Sequence, residues 1–323
     1  KGDVFVLGGD TYEFMFSRGM VAQVKPSGGR LPTVPSWFSE MLPLSYDLAV
    51  DIQRFRRYVE DLFVNNHDKK DIVKYINDAL YVDENAALAI YQYFREQYLY
   101  ASVPHDRRIV VEHYHDGDEK SKKYVIFHTL YGRRVNDVLS RAVAYAVAKL
   151  QKQDVDIGIT DNGFYVASKK PIQVMRAFSL LKSAQLPEVM KKAIEKSEVL
   201  KRRFRHCAAR ALMILREYKG MRKRVGRQQV SSMILLSAVR RISDEFCILK
   251  EARREVLDDV MDLVHAKEIL KNIEEKKIET KQIHTGIPSP FAFNLVLQGY
   301  TDIMHMEEKA EFLRRMHQQV LAK

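Results

Sequence analysis

The sequence has only two cysteines in 323 residues, Cys207 and Cys247, and they form no CxxC pair. So few cysteines argue against a disulfide scaffold and suit a reducing interior, so we expect a cytoplasmic protein. No apolar run approaches the roughly 20 residues that a membrane-spanning helix needs, and the run around Met233 to Val239 is interrupted by Ser237. We therefore expect no membrane partner.

Signatures of nucleotide hydrolysis are also absent. There is no G-x-x-x-x-G-K-[ST] loop, because the glycine pairs at Gly8 and Gly28 lack the lysine and the hydroxyl that cradle phosphates. No G-x-S-x-G, H-E-x-x-H or kinase signature occurs. We therefore expect no ATP hydrolysis, no catalytic side chain and no cofactor in this chain. It begins with Lys1 rather than Met, so we expect a piece of a longer protein.

Two sets of residues could form a metal site or a catalytic site, but an ordinary structural role is the better interpretation of both. A zinc site would need clustered ligands. The candidates are three histidines without a fourth ligand, so we expect no metal and ordinary strand histidines at His113, His115 and His128. Acid–base work would need paired carboxylates, but solvated turn residues are the better interpretation of Asp154, Asp156 and Asp161.

What the sequence does have is concentrated positive charge. The formal net charge is +11 and the pI is about 9.4. Residues 201–227 hold eleven basic residues and one acid, a net charge of 11 − 1 = +10, so the rest of the chain carries about +1. Arginine outnumbers lysine there by eight to three, and its planar fork matches phosphate geometry. The block predicts a surface that binds a polyanion such as a nucleic acid. The alternative is a charged face paired with acids elsewhere, such as Glu251, Glu255 or Asp258.

Helical spacing organises this basic block. It places Arg202, Arg205 and Arg210 near one another, and it puts the burying side on Ala208, Ala211, Leu212 and Leu215. We expect Gly220 to end the helix and Met221–Arg227 to form a basic loop. The residues expected to contact nucleic acid are Arg202, Arg203, Arg205, Lys219, Arg222, Lys223, Arg224 and Arg227.

The chain divides into three predicted regions. Residues 1–46 read as a β meander followed by a loop that carries the only tryptophan, Trp37. Residues 47–170 read as three helices, with N-caps at Asp68 and Asp83, followed by β-rich segments, which is the order of a winged-helix module. Residues 171–323 read as a helical C-terminal domain, with a β-like stretch at Ile278–His284 and a final helix over Met306–Leu321.

The predicted fold class is α+β with a helical majority. Asn136 is expected to cap an amphipathic helix, and a hairpin is expected to turn at Asp161-Asn162-Gly163. With the N-terminal strands this gives about seven short strands. We therefore expect winged-helix-like modules, a small antiparallel β-barrel and a C-terminal helical bundle.

Four blocks resemble the accessory region that follows the motor in the large helicase-related (Lhr) family of superfamily 2 helicases, the DEAD/H-associated region. They are Pro35-Ser36-Trp37-Phe38-Ser39-Glu40, Tyr131-Gly132-Arg133-Arg134-Val135-Asn136, Phe204 to Leu212 (FRHCAARAL) and Pro288-Ser289-Pro290-Phe291-Ala292. They resemble the family's P-x-W-x-G-E, F-G-R-R-V-N/H, F-R-x-x-A-A-R-A-L and P-S-P-F-A. The family's glycine is Ser39 here, and the archaeal branch fits better than the bacterial one.

The resemblance implies an ATP-dependent translocase moving 3′ to 5′ on single-stranded DNA and unwinding duplexes, including RNA:DNA hybrids. ATP and magnesium would bind two RecA-like motor domains, which would precede this region with a winged helix. All three would be its partners within the same chain. The tryptophan of the P-x-W block, here Trp37, would stack on a base of the tracking strand, and such stacking contributes roughly 1–3 kcal/mol without sequence preference.

Three functions remain open at this point. The first is a single-stranded nucleic-acid-binding and coupling region. The second is a DNA glycosylase-like repair domain that flips a base, because the implied layout resembles a group of bacterial DNA glycosylases. The third is a protein-interaction platform, which the Met-rich and charged helices after Gln228 would allow.

Overall fold

The structure is a computed structural model, and it describes residues 2–7, 10–19, 21–28, 42–115, 122–215, 217–218, 220–222, 225–300, 314, 316–318 and 320–321. Within them the protein mixes helices and strands, with helix in the majority. No described helix is both long enough and apolar enough to cross a bilayer.

The first strands form a sheet of their own. β1 (Val4–Leu7), β2 (Asp10–Arg18) and β3 (Val21–Pro26) pair in the order β1-β2-β3, and all are antiparallel. The meander predicted for the N-terminal residues is therefore confirmed. It does not join the strands that follow.

Three helices come next, as the sequence predicts. They are α1 (Tyr46–Val64), α2 (Lys69–Leu80) and α3 (Glu84–Tyr100). Asp68 and Asp83 stand at the N-cap positions, and the Asp83 carboxylate accepts the amide of Ala86 at 2.8 Å. Their apolar faces meet in a small core that includes Val59, Ile72 and Phe94.

A five-stranded sheet forms the centre of the fold. Its strands are β4 (Arg108–His115), β5 (Lys123–His128), β6 (Asp156–Thr160), β7 (Gly163–Ser168) and β10 (Glu279–Thr285). They lie side by side in the order β10-β4-β5-β7-β6. The β6–β7 hairpin and the strand near residue 280 are confirmed. The expected antiparallel barrel is wrong for the described residues: this sheet is open and β10 runs parallel to β4.

Both faces of the sheet are covered. One face packs in the main core against α4 (Arg133–Gln151) and the helices that follow it, through side chains such as Val111, Phe127 and Val143. The other face packs against α11 (Phe293–Tyr300), through side chains such as Ile126 and Leu295. Burial on both faces explains why the inner strands β5 and β7 are nearly continuous apolar runs, whereas the edge strand β10 is mainly polar.

α4 begins earlier than the sequence predicts. Its N-cap is Gly132, and Asn136 lies inside the helix, fully buried. The Asn136 amide donates to the carbonyl oxygens of Thr160 (2.9 Å) and Asp161 (3.2 Å). The expectation that Asn136 caps the helix is therefore wrong, because its side chain satisfies the hairpin turn instead.

The C-terminal half is mainly helical. Its helices are α5 (Val174–Ser179), α6 (Leu186–Ile194), α7 (Glu198–Arg210), α8 (Val225–Ile242), α9 (Cys247–Arg254) and α10 (Leu263–Glu274), with a π-helical turn at Glu255–Val260. Most of the helix expected over Met306–Leu321 lies outside the described residues.

The segment after α7 also differs from the prediction. α7 ends at Arg210, and the strands β8 (Glu217–Tyr218) and β9 (Met221–Arg222) pair as a hairpin. Gly220 has a φ of 75° in the turn of this hairpin, so it does not end a helix. α8 then starts at Val225, which leaves no loop over the whole of Met221–Arg227.

Candidate nucleic-acid interface

The basic block begins on α7, which is amphipathic. Ser197 caps the helix, since its hydroxyl accepts the amide of Leu200 at 3.3 Å. Leu200 and Phe204 are fully buried in the main core, and Cys207 is buried beside them. One side of the FRHCAARAL block therefore anchors the helix, and the arginines project from the other side.

The burying side of α7 is shorter than predicted. Ala208 is buried, but Ala211 and Leu212 lie beyond the last helical residue and are exposed, Leu212 by 73%. Leu212 has a φ of 57°, the left-handed conformation that commonly follows a helix C-terminus. The amide of Met213 closes this end by donating to the carbonyl of Ala208 at 2.9 Å.

Two arginines of α7 share a buried acid. Arg210 forms a short ion pair with Glu255, and Arg203 Nη1 lies 3.9 Å from the other carboxylate oxygen of Glu255. The pairing with Glu255, one of the acids named above as partners for the basic face, is therefore present for this pair of arginines. Arg210 is also a residue that the sequence did not single out for contact with nucleic acid.

Other arginines of α7 face solvent more freely. Arg202 is exposed and Arg205 is half-buried, and neither has an ion pair with any residue that the structure describes. They are three positions apart, so they lie on neighbouring turns of the same helix face. This spacing places two uncompensated guanidinium groups side by side, a suitable arrangement for successive phosphates.

The remaining predicted contacts are spread beyond α7. Arg222 lies in β9 and Arg227 in the first turn of α8. Outside the described residues lie Trp37, Lys219, Lys223 and Arg224.

Asp161 forms a junction between three chain segments, one of which contains Leu44, seven positions after Trp37 in the sequence. The Asp161 carboxylate accepts the amide of Leu44 at 3.1 Å and the amide of Arg133 at 2.8 Å. Asp161 is therefore not a solvated turn residue: it ties the segment of Leu44 to the start of α4.

Tyr46 fixes the same segment from the other side. Its ring stacks on the His265 ring of α10, with 3.9 Å between the ring centroids. Burial, assisted by the carboxylates of Glu268 and Asp262, raises the pKa of Tyr46 to about 12. The phenol therefore stays protonated at neutral pH.

Arg134 joins this junction to the π-helical turn. Its guanidinium donates to the carbonyl oxygens of Asp258 at 2.6 Å and Met261 at 3.1 Å, and its own carbonyl accepts the amide of Asp262. The YGRRVN block is thus a structural connector between the hairpin at Asp161 and the segment that carries Glu255.

The PSPFA block has a similar role on the other face of the sheet. Glu112 is fully buried and accepts Ser289 N at 2.7 Å, Ser289 Oγ at 2.6 Å and Thr285 Oγ1 at 2.8 Å, beside His128 Nε2 at 2.8 Å. Burial alone would raise the pKa of Glu112, but the hydrogen bonds from His128, Ser289 and Thr285 hold that pKa below its usual value. The sequence signal for this site is an acid inside an apolar strand.

The candidate metal histidines are divided between the two faces of the sheet. His128 pairs with Glu112 on one face, whereas the His113 ring stacks on the His284 ring at 4.6 Å between centroids. His113, His115 and His284 line an open cleft of about 470 Å³. Within the described part of the chain, no three histidine, cysteine or acidic side chains are grouped so that they could hold a metal ion.

Comparisons with known proteins agree on one family. A family model described as DEAD/H associated matches residues 103–292. ATP-dependent helicase Lhr-Core of Methanothermobacter thermautotrophicus is 52% identical over 99% of this chain, which spans 37% of that protein. The Lhr helicase/probable uracil glycosylase of Mycolicibacterium smegmatis is 27% identical over 97% of this chain, which covers 20% of that protein.

A solved structure is similar as well. The structure of Mycobacterium smegmatis helicase Lhr bound to ssDNA and AMP-PNP matches 83% of this chain with a TM-score of 0.70 at 27% identity. The match covers 34% of that helicase chain. The chain therefore spans about a third of the archaeal relative's length and a fifth of the mycobacterial relative's length.

Proposed function

This chain belongs to the DEAD/H-associated family and is similar to the accessory region of archaeal Lhr helicases, and from that premise we propose that it binds single-stranded nucleic acid and couples this binding to an ATP-driven 3′-to-5′ helicase motor. The observation that carries the proposal is the likeness over 83% of the chain to a helicase whose structure contains ssDNA. The concentrated charge of residues 201–227 supports it independently.

The roles of the residues follow from their chemistry. Arg202, Arg203 and Arg205 on α7, with Lys219, Arg222, Lys223, Arg224 and Arg227 after it, contact phosphates. Trp37 stacks on a base, and the junction at Asp161 holds the end of its loop. Contacts with phosphates and stacking on a base ring do not depend on the nucleotide sequence, and a translocating motor requires this independence. The strand is single-stranded DNA or the displaced part of an RNA:DNA hybrid.

Trp37 offers a direct test, because it is the only tryptophan of the chain. Titration of a short single strand into the wild-type chain should change the tryptophan emission in parallel with binding measured by anisotropy. Trp37→Phe should keep most of the affinity and Trp37→Ala should weaken binding by roughly 1–3 kcal/mol, the contribution of one stacked base. Binding without any change of Trp37 emission would remove the stacking role.

A second candidate function is base excision. It is favoured by the name of the mycobacterial relative, which is described as an Lhr helicase and probable uracil glycosylase. Such an enzyme must hold a flipped base and activate water or a nucleophile. Incubation of the chain with a uracil-containing single strand, followed by alkaline cleavage, separates the two functions: abasic sites would promote this second candidate, and an intact strand would favour the binding region.

A further inference from the structure

Glu255 occupies an unusual place beneath the basic face of α7. It is buried, and it is the first residue of the π-helical turn Glu255–Val260 that follows α9. π-helical turns are rare and occur frequently at functional sites. The turn carries the carboxylate to the side of α7 from which Arg203 and Arg210 project.

The contacts of Glu255 are unequal. One carboxylate oxygen accepts Arg210 Nη2 directly. The other lies 3.9 Å from Arg203 Nη1, and neither that oxygen nor the buried Arg203 Nε has a hydrogen-bond partner among the residues that the structure describes. One carboxylate thus faces two guanidinium groups, so the trio keeps a net charge of +1.

Both arginines remain accessible from the outer side. The Arg210 side chain is 60% exposed and the Arg203 side chain is 33% exposed. A guanidinium has five N–H donors, so the contact with Glu255 leaves several donors for an anion in solvent. A side chain that is already held from below loses less rotamer freedom when it binds, and such preorganisation increases affinity.

Stability alone does not account for this arrangement. A buried carboxylate loses its hydration, and apolar residues of similar volume often stabilise a fold as well or better. We propose that Glu255 is a positioning residue, which orients Arg203 and Arg210 so that their outer donors contact phosphates of a bound single strand. This inference rests on the proposed function and adds Arg210 to the strand-contacting residues.

Arg210 and Glu255 line an open cleft together with Glu251, Arg254 and Asp259. The test compares two substitutions that each remove one negative charge from this cleft. Glu255→Gln is the test variant. Glu251→Gln is the control, because Glu251 lines the cleft but pairs with Arg254, at 2.8 Å. The affinity of each variant for a fluorescein-labelled poly-dT 15-mer is measured by anisotropy between 50 mM and 300 mM KCl.

The positioning role predicts weaker binding by Glu255→Gln although the chain becomes more positive. Each lost phosphate contact should flatten the slope of log affinity against log salt by about 0.7, which corresponds to roughly fourfold at 0.15 M salt. Loss of both contacts would approach fifteenfold. Glu251→Gln should bind within about twofold of the wild type.

A double-variant background separates positioning from a general structural role. In Arg203→Gln with Arg210→Gln, the further change Glu255→Gln should not reduce affinity, because Glu255 acts only through these arginines. Circular dichroism and the thermal midpoint show whether each variant is folded, and Glu255→Asp, which keeps the charge, should recover part of the affinity.

Each result decides the question. If Glu255→Gln binds as tightly as the wild type, or more tightly with a steeper salt slope, Glu255 merely neutralises charge and the inference is overturned. An equal loss in the double-variant background would also overturn it. A wild-type chain without salt-dependent binding would instead defeat the proposed function, and the inference with it.

Discussion

The Asp161 carboxylate holds the backbone of Leu44, 117 residues away in the chain, through an N–H···O hydrogen bond of 3.1 Å. The same oxygen accepts the amide of Arg133 at 2.8 Å, at the start of α4. A turn residue of the central sheet therefore holds Leu44, which follows Trp37 in the sequence, beside the start of α4.

Removal of this acceptor should weaken the fold. Asp161→Ala leaves two amides without their partner, which costs about 1–3 kcal/mol of the free energy of unfolding. Asp161→Asn retains one acceptor oxygen and should cost less. Urea unfolding measures both. Asp156→Ala serves as the control, because Asp156 lies on the same hairpin but forms a surface ion pair with exposed Lys122, and its loss should cost less than about 1 kcal/mol. Equal stability of Asp161→Ala and the wild type would contradict the role of the junction.

Gly132 should tolerate no side chain. Its φ is 84°, and a Cβ there would lie 2.5 Å from the carbonyl oxygen of Leu44. Its ψ of 154° adds a backbone conformation that is nearly confined to glycine, so Gly132→Ala should destabilise the chain by more than the roughly 1–3 kcal/mol of that conformation alone. Gly19→Ala is the control for a positive φ without crowding, since Gly19 has a φ of 61° and nothing within 4 Å of its Cβ position. Similar thermal midpoints for the two variants would show that Leu44 moves aside easily.

The buried Glu112 should make the stability depend on pH. The pKa of Glu112 is held below the usual 4.5 in the folded state. Its stabilising contribution is therefore complete above pH 4.5 and is lost as the pH falls through the lower, folded pKa.

Glu112→Gln should accordingly flatten the pH dependence of unfolding below pH 4.5. It should also cost about 1–3 kcal/mol at pH 7, because the amide that replaces the buried carboxylate cannot accept all of the hydrogen bonds that Ser289 and Thr285 donate to it. The measurement is the urea midpoint as a function of pH, with Glu279→Gln on the exposed edge as the control. A variant with the wild-type slope between pH 5 and pH 3 would rule out Glu112 as the source of acid sensitivity.

Local patterns predicted the elements well where the pattern itself determines them. The helices α1 to α3, the hairpin at Asp161 and the strand near residue 280 follow from periodicity, N-cap residues and an Asn-Gly turn. The predicted barrel is wrong, because the order of strands in a sheet is set by pairing between residues that are far apart in the sequence. The parallel pairing of β10 with β4, more than 160 residues apart, has no local sequence signature.

For the site, too, local sequence does not show which side chains meet. Charge concentration predicts the basic face of α7, and Glu255 is one of three acids that could pair with it. Only the fold distinguishes the arginines that Glu255 engages, Arg203 and Arg210, from Arg202 and Arg205, which have no ion pair among the described residues. Asn136 has the residue type of a cap, and its role in the hairpin depends on a turn 25 residues away.

The measurement that tests the central claim most directly is the salt dependence of single-strand binding after Arg202 and Arg205 are removed. Arg202→Gln with Arg205→Gln should flatten the slope of log affinity against log salt by about 1.4, since each lost phosphate contact contributes roughly 0.7. The control, Lys267→Gln with Lys271→Gln, removes two exposed charges from α10 and should leave the slope unchanged. An unchanged slope in the arginine variant would contradict the proposal that this face of α7 grips the strand.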